Sequence, residues 1–323
     1  MKNLIDLHLH LDGSLSVKSV RQLAAQANIV VPESDAELLE RLQVSEGCRD
    51  LNEYLEKFAF PCSLLQTKQN ISTAFYNLCQ ELQNSGLIYA EIRFAPQLHC
   101  NEGLSQSEVV CAALEGCRKS DFKSNLILCC MRGEGNENKN LETLEVASQF
   151  FDKGVCAVDL AGAEAIFKTE KYEELFNIAS KKGLRYTIHA GEADGPDSVK
   201  KALEYGAARI GHGVRAVEDK ELVEYLVKKQ IPLEMCPTSN LNTAMFESLS
   251  DYPAKMLLEK GCVVTINTDN MTVSNTNLSN EFEKLAEALK LTEEQVHQLQ
   301  LNAAKAAFCD DVTREWLINK ING

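Results

Sequence analysis

The chain lacks most of the features that assign a protein to a class at a glance. Across 323 residues no stretch approaches the roughly 18 consecutive apolar residues of a membrane-spanning helix. It opens MKNLIDLHLH, where charged residues and two histidines interrupt any apolar run, so no secretory signal is expected and the protein is read as cytoplasmic. Basic charge is short: 33 Lys and Arg face 47 Asp and Glu, a formal net charge of -14. Such a surface repels phosphate backbones, which argues against nucleic acid as a partner but does not exclude uncharged small molecules. Cysteine is plentiful at 12, yet no pair has CxxC spacing and several sit inside apolar runs. That pattern predicts reduced core thiols rather than a disulfide framework or a cysteine zinc site. No Pro/Ser-rich or low-complexity linker divides the sequence, so residues 1–323 are read as one domain.

What is present is a repeated short apolar run followed by a longer amphipathic stretch. The runs are LIDLHLHL (4–11), LIYAEIRFAP (87–96), NLILCCM (125–131), VCAVDLAG (155–162), LRYTIHAGE (184–192), RIGHGV (209–214), IPLEMCPTSN (231–240) and VVTINTDN (263–270). Each has strand length and is bounded by Gly, Pro or polar residues. Between them lie segments such as DKELVEYLVKKQ (219–230), with helical spacing and a charged outer face. Eight βα units predict an α/β fold with a parallel sheet, and eight strands close into a (β/α)₈ TIM barrel. Extra helices are expected in the first βα connection (12–86), where CRDLNEYLEKFAF could cover the barrel mouth, and again after 280.

Active groups in such a barrel sit at the C-terminal ends of the strands. The chain has six histidines, and four fall at or near the ends of runs one, five and six. His8 and His10 are two apart on a strand, so both side chains face one way, into the barrel, as a pair suited to Zn²⁺. His189, in IHAGE, adds a third imidazole from another strand, and Glu192 follows where a shielded carboxyl can keep its proton. His212 is bracketed by glycines, which permit close backbone approach. Asp269, in INTDN, offers a carboxylate at the mouth. Three imidazoles, two carboxyl groups and a free histidine suit metal-assisted hydrolysis, with water activated at the metal.

In order along the chain, HLHLDGSL (8–15), YAEIRFAP (89–96), DLAGAE (159–164), IHAGE (188–192), IGHGV (210–214), EMCPTSN (234–240) and NTDN (267–270) resemble the motifs of the adenosine deaminase family. The resemblance covers almost the whole chain. It implies one zinc ion held by His8, His10, His189 and Asp269, and a purine nucleoside, adenosine or 2′-deoxyadenosine, as substrate. Glu192 would protonate purine N1, His212 and Asp269 would orient the attacking hydroxide, and ammonia would leave. The resemblance also counts His10 among the substrate-binding residues and puts Asp12 by the ribose, the Gly162 backbone N–H at purine N3, Asn270 at N7, and Tyr54, Leu55 and Phe58 in an apolar gate.

Many family members carry Asp where this chain has Asn270; an amide donates a hydrogen bond at every working pH, a carboxyl only when protonated. Adenine deaminases tend to carry Glu in place of Asp12, and the shorter side chain leaves room for a ribose. No basic cluster accompanies the motifs to hold the phosphate of AMP, and a lysine that could bridge two metals is missing from VCAVDLAGAE. A catalytically dead nucleoside binder is the reading from another class.

Overall fold

A computed structural model describes residues 1–45 and 47–323. Its eight strands are β1 (Leu4–His10), β2 (Leu87–Phe94), β3 (Lys123–Met131), β4 (Val155–Ala161), β5 (Thr187–Ala190), β6 (Arg209–His212), β7 (Leu233–Met235) and β8 (Val264–Ile266). All neighbours pair in parallel, in two sheets of four, β1-β2-β3-β4 and β5-β6-β7-β8. Single parallel bridges, Val158 to Tyr186 and Leu9 to Asp269, join the two sheets at both seams and complete the ring. This is the α/β barrel expected from the alternation of runs.

The strands are shorter than the apolar runs at their C-terminal ends. In the seventh run, Cys236 leaves the ladder and Pro237, which has no N–H to give a sheet, starts the helix Pro237–Asn242. Asp269 lies beyond the end of β8, held to β1 by backbone hydrogen bonds to His8 and His10. The helices follow their end signals. Ser105 with Glu108 and Thr292 with Gln295 form capping boxes that open Gln106–Arg118 and Glu293–Ala306.

Alternation along the strands sorts the side chains into two environments. On β1, Leu4 and Leu9 join the main apolar layer under the helices, while Ile5 and Leu7 pack against the C-terminal helices. Asp6, His8 and His10 face the interior, which is charged rather than oily: Glu91, Arg93, Asp159, Arg209 and Glu234 are all fully buried there. Arg93 bridges Asp159 and Glu234 (2.7 and 2.8 Å), and Arg209 bridges Glu234 and Glu91 (2.6 and 2.5 Å). At the N-terminal end the segment after Glu293–Ala306 forms the floor. Arg209 donates to the Ala306 carbonyl and lies 3.6 Å from the Phe308 ring, and the Phe308 N–H meets Glu91.

The first βα connection holds the helices Val17–Gln26, Asp35–Leu42, Leu51–Leu55, Ala59–Leu64 and Lys68–Asn84. Three more, Leu278–Leu289, Glu293–Ala306 and Asp311–Asn322, follow β8. Among the described residues no helix is long and apolar enough to cross a membrane, and the 12 cysteines are free.

Candidate active site

At the C-terminal mouth of the barrel a cavity of about 330 Å³ opens, a size suited to a small molecule. Its wall includes His10, Asp12, Tyr54, Leu55, Phe58, Gly162, His189, Glu192, Asp269 and Asn270. The structure therefore brings the expected site residues to one place. His8 and His212 lie just beneath, fully buried against His189, with ring centroids 4.5 and 5.2 Å from it.

The ligand atoms of His8, His10, His189 and Asp269 all lie within 4.8 Å of one another. Nε2 of His189 is 3.1 Å from that of His8 and 3.2 Å from that of His10. Asp269 Oδ1 stands 3.5 and 3.4 Å from the same two nitrogens. Zinc bonds of roughly 2.0–2.1 Å give a tetrahedron with edges of about 3.3 Å. Four of the six separations among these atoms thus match the edges of a zinc tetrahedron.

The side chains behind them fix which nitrogen faces the centre. Glu234 accepts from His8 Nδ1 at 2.8 Å, and Asp159 faces His189 Nδ1 at 2.9 Å. A ring that donates from Nδ1 presents the Nε2 lone pair, so lone pairs converge where only a cation can satisfy them. Burial pushes His8 and His10 well below the usual imidazole range, into the neutral form that ligates. Burial also lifts Asp269 to about 6, against the hydrogen bond from Ser239 at 2.5 Å. No Lys or Arg among the described residues pairs with it, so a bound cation is the natural counter-charge.

His212 reaches the cluster by a local departure from strand geometry. Gly211 faces inward, where a Cβ would stand 3.2 Å from the His8 ring, so alternation would turn His212 outward. Instead His212 takes a left-handed conformation (φ 59°), as Asp269 does (φ 62°). His212 Nδ1 is 3.2 Å from the Asn240 amide, whose oxygen accepts from Tyr252. Nε2 is left facing Glu192, 3.7 Å away. The Glu192 carboxyl is pushed well above its usual range by burial first, then by the charges of Asp269 and Glu164, which favours its protonated form.

Several contributors escaped the reading of the sequence. Glu164 accepts from the backbone N–H groups of Gly191, Glu192, Ala193 and Asp194 at 2.7–3.0 Å, and from the Ser198 hydroxyl. One carboxylate thereby sets the loop that carries Glu192. Glu234 and Asp159 stand behind the rings of His8 and His189, and Asn240 and Ser239 contact His212 and Asp269. Glu164, Asp159, Glu234, Ser239 and Asn240 all lie inside the quoted motifs. A charge in mid-strand, as in IPLEMC or VCAVDLAG, was the available signal, because an interior charge needs a partner.

Gly13 explains itself through Asn270: a Cβ there would meet the Asn270 side chain at 1.9 Å. Gly162 has φ 108°, a conformation other residues rarely adopt. Tyr54 is buried with its hydroxyl 2.6 Å from Ser274, while Leu55 and Phe58 are half-buried at the rim. Arg132 is the one Lys or Arg on the cavity wall among the described residues. Its guanidinium donates to the carbonyls of Phe167 and His189 and to Thr169, which leaves it poorly placed to take a phosphate.

Residues 4–323 match the family model described as adenosine deaminase. A protein of Haemophilus ducreyi named adenosine deaminase is 48% identical over 326 residues, covering 98% of this chain and 95% of that protein. Among solved structures, an adenine deaminase from Arthrobacter aurescens superposes with a TM-score of 0.88 at 28% identity, covering 100% of this chain and 98% of its own. An amidohydrolase from Burkholderia ambifaria, with bound zinc, gives 0.87 at 20% identity, covering 99% and 91%.

Proposed function

The chain belongs to the adenosine deaminase family, and from that premise we propose that it hydrolyses adenosine and 2′-deoxyadenosine to the 6-oxo nucleosides and ammonia, with one Zn²⁺ at the barrel mouth. The observation that carries the reading is the convergence of His8, His10, His189 and Asp269 beside the buried carboxyl of Glu192 in a cavity of small-molecule size. Those four residues would hold the zinc, whose chemistry there would be to lower the pKa of water and make it a nucleophile at neutral pH.

The protein's own groups do the rest. Glu192 gives its proton to purine N1, which draws electron density from C6 and makes it electrophilic. The Asn240 contact at Nδ1 favours the proton on His212 Nε2, and with Asp269 this imidazole orients the oxygen that adds to C6. The hydroxyl added at C6 then gives its proton to the amino group, the C6–N bond breaks and ammonia leaves, while N1 keeps its proton and the proton lost by the attacking water returns to Glu192. Asn270 donates to N7, the Gly162 N–H meets N3, and Asp12 takes a ribose hydroxyl. Tyr54, Leu55 and Phe58 shield the base from bulk water.

The deciding assay is ammonia release from adenosine, 2′-deoxyadenosine, 5′-deoxyadenosine and adenine, with metal intact and after chelation. Chelator-sensitive turnover of the first two bears the proposal out. Preference for adenine, the substrate named for the Arthrobacter structure, would keep the chemistry and replace the substrate.

A further inference from the structure

Of the six histidines, His99 belongs to neither the metal cluster nor the surface. It ends the 3₁₀ turn Pro96–His99 that follows β2, and is 1% exposed. Both ring nitrogens are sealed from solvent and lack a hydrogen-bond partner, which is costly for a buried imidazole. The polar atom facing Nε2 is Asp12 Oδ1, 3.3 Å away, and this oxygen is equally buried and unpartnered. The two atoms are close but not in line for a hydrogen bond; a proton on Nε2 and a small turn of the carboxylate would satisfy both.

Asp12 is the cavity-wall acid that takes no part in the potential metal groups, whereas Glu192 and Asp269 both do. A carboxylate offers only acceptors, so in a nucleoside-filled cavity it meets the hydroxyl donors of the sugar. Its other neighbour is the Cys62 thiol, pushed well above the usual range by burial and then by the Asp12 charge, and therefore a protonated group. The turn holding His99 is pinned from both sides. Gln66 donates to the Leu98 carbonyl and accepts from the Asn101 N–H, and Gln97 donates to Asn140. The Phe94 ring lies over His99 at 5.8 Å. A ring so fixed holds one orientation, and through Nε2 it fixes that of the carboxylate in front of it.

We infer that His99 is a positioning residue for substrate selection: it holds Asp12 Oδ1 from behind so that Oδ2 faces the cavity and reads one hydroxyl of the substrate's sugar. The inference rests on the nucleoside reading above. It assigns hydroxyl discrimination to a pair, of which only the front member touches substrate.

The test is kcat and KM for the unsubstituted enzyme and for His99→Leu, His99→Gln, Asp12→Asn and the double variant His99→Leu/Asp12→Asn. The substrates are adenosine and its 2′-, 3′- and 5′-deoxy analogues, and zinc content is measured alongside. Loss of the hydroxyl that Asp12 reads should cost the unsubstituted enzyme about 10- to 100-fold in kcat/KM, the span of a hydrogen bond to a charged group. In His99→Leu that cost should shrink to a few-fold, mainly through a raised KM for adenosine, with zinc retained. The amide of His99→Gln can donate in place of Nε2 and should restore much of the discrimination. In the Asp12→Asn background, His99→Leu should add little. A uniform loss across all four substrates would overturn the inference, because a packing defect does not choose among hydroxyls; so would additive effects of the two substitutions. Absence of turnover by the unsubstituted enzyme would instead remove the functional reading on which the inference stands.

Discussion

Two carboxyl groups at the mouth are made different by their surroundings. Asp269 is hydrogen-bonded by Ser239 and aimed at two imidazoles, whereas Glu192 is buried without a cationic partner. Replacing Glu192 with Gln keeps the shape and removes the proton. Zinc content should be unchanged while turnover falls by about 10² to 10⁴; a zinc-replete Glu192→Gln protein with full activity would refute the role. His8→Ala should lose the metal itself, read by metal analysis after gel filtration. The pH profile follows with its sign. An ordinary glutamate loses its proton above 4.5, but burial raises this one well above that value, and activity needs the protonated form. Log kcat/KM should therefore hold well past pH 4.5 and fall only at the higher pH where Glu192 ionises. A decline beginning near 4.5 would show a solvated carboxylate.

Among the elements, the loop after β5 shows how little local sequence says about positioning. Its conformation depends on Glu164, from the loop after β4, which gathers four backbone N–H groups. Glu164→Gln turns an acceptor into a donor facing donors, at a cost of about 1–3 kcal/mol for each N–H left unpaired. The expected result is a kcat lowered about tenfold or more with zinc still bound, since His189 is fixed separately by Asp159. Equal loss of zinc and kcat would mean the loop also holds the metal. The strands were legible because β-branched and aliphatic runs repeat with polar boundaries. The inward pair His8 and His10 was legible because strand alternation is strict. The left-handed turn at His212 was visible only as flanking glycines, without the re-aimed ring it produces. The ends of β7 and β8 were overestimated because the runs were carried on into the mouth: Pro237 starts a helix two residues after β7, and the polar stretch Asn267, Thr268, Asp269 and Asn270 follows β8. Glu164, Asn240 and the Asp12–His99 pair depend on contacts between distant segments that no spacing encodes.

For the whole molecule, the interior is a ladder of hydrogen bonds and ion pairs from the histidine cluster to the floor: His8–Glu234–Arg209–Glu91, ending at the Phe308 N–H. Removing one rung leaves buried charge uncompensated, so Arg209→Met should lower stability by about 3–5 kcal/mol in denaturant melts, although Arg209 lies far from the cavity. An unchanged midpoint would show that the ladder relaxes at no cost. Chelation should also lower the thermal midpoint, since a ligand bound only by the folded state stabilises it by mass action.

The proposed ligand set draws on β1, β5 and the segment after β8, and the bridge from Leu9 to Asp269 is the one that joins the last strand back to the first. His8 and His10 therefore meet Asp269 only where the ring has closed on itself. Metal affinity would report closure of the barrel rather than the folding of any single βα unit.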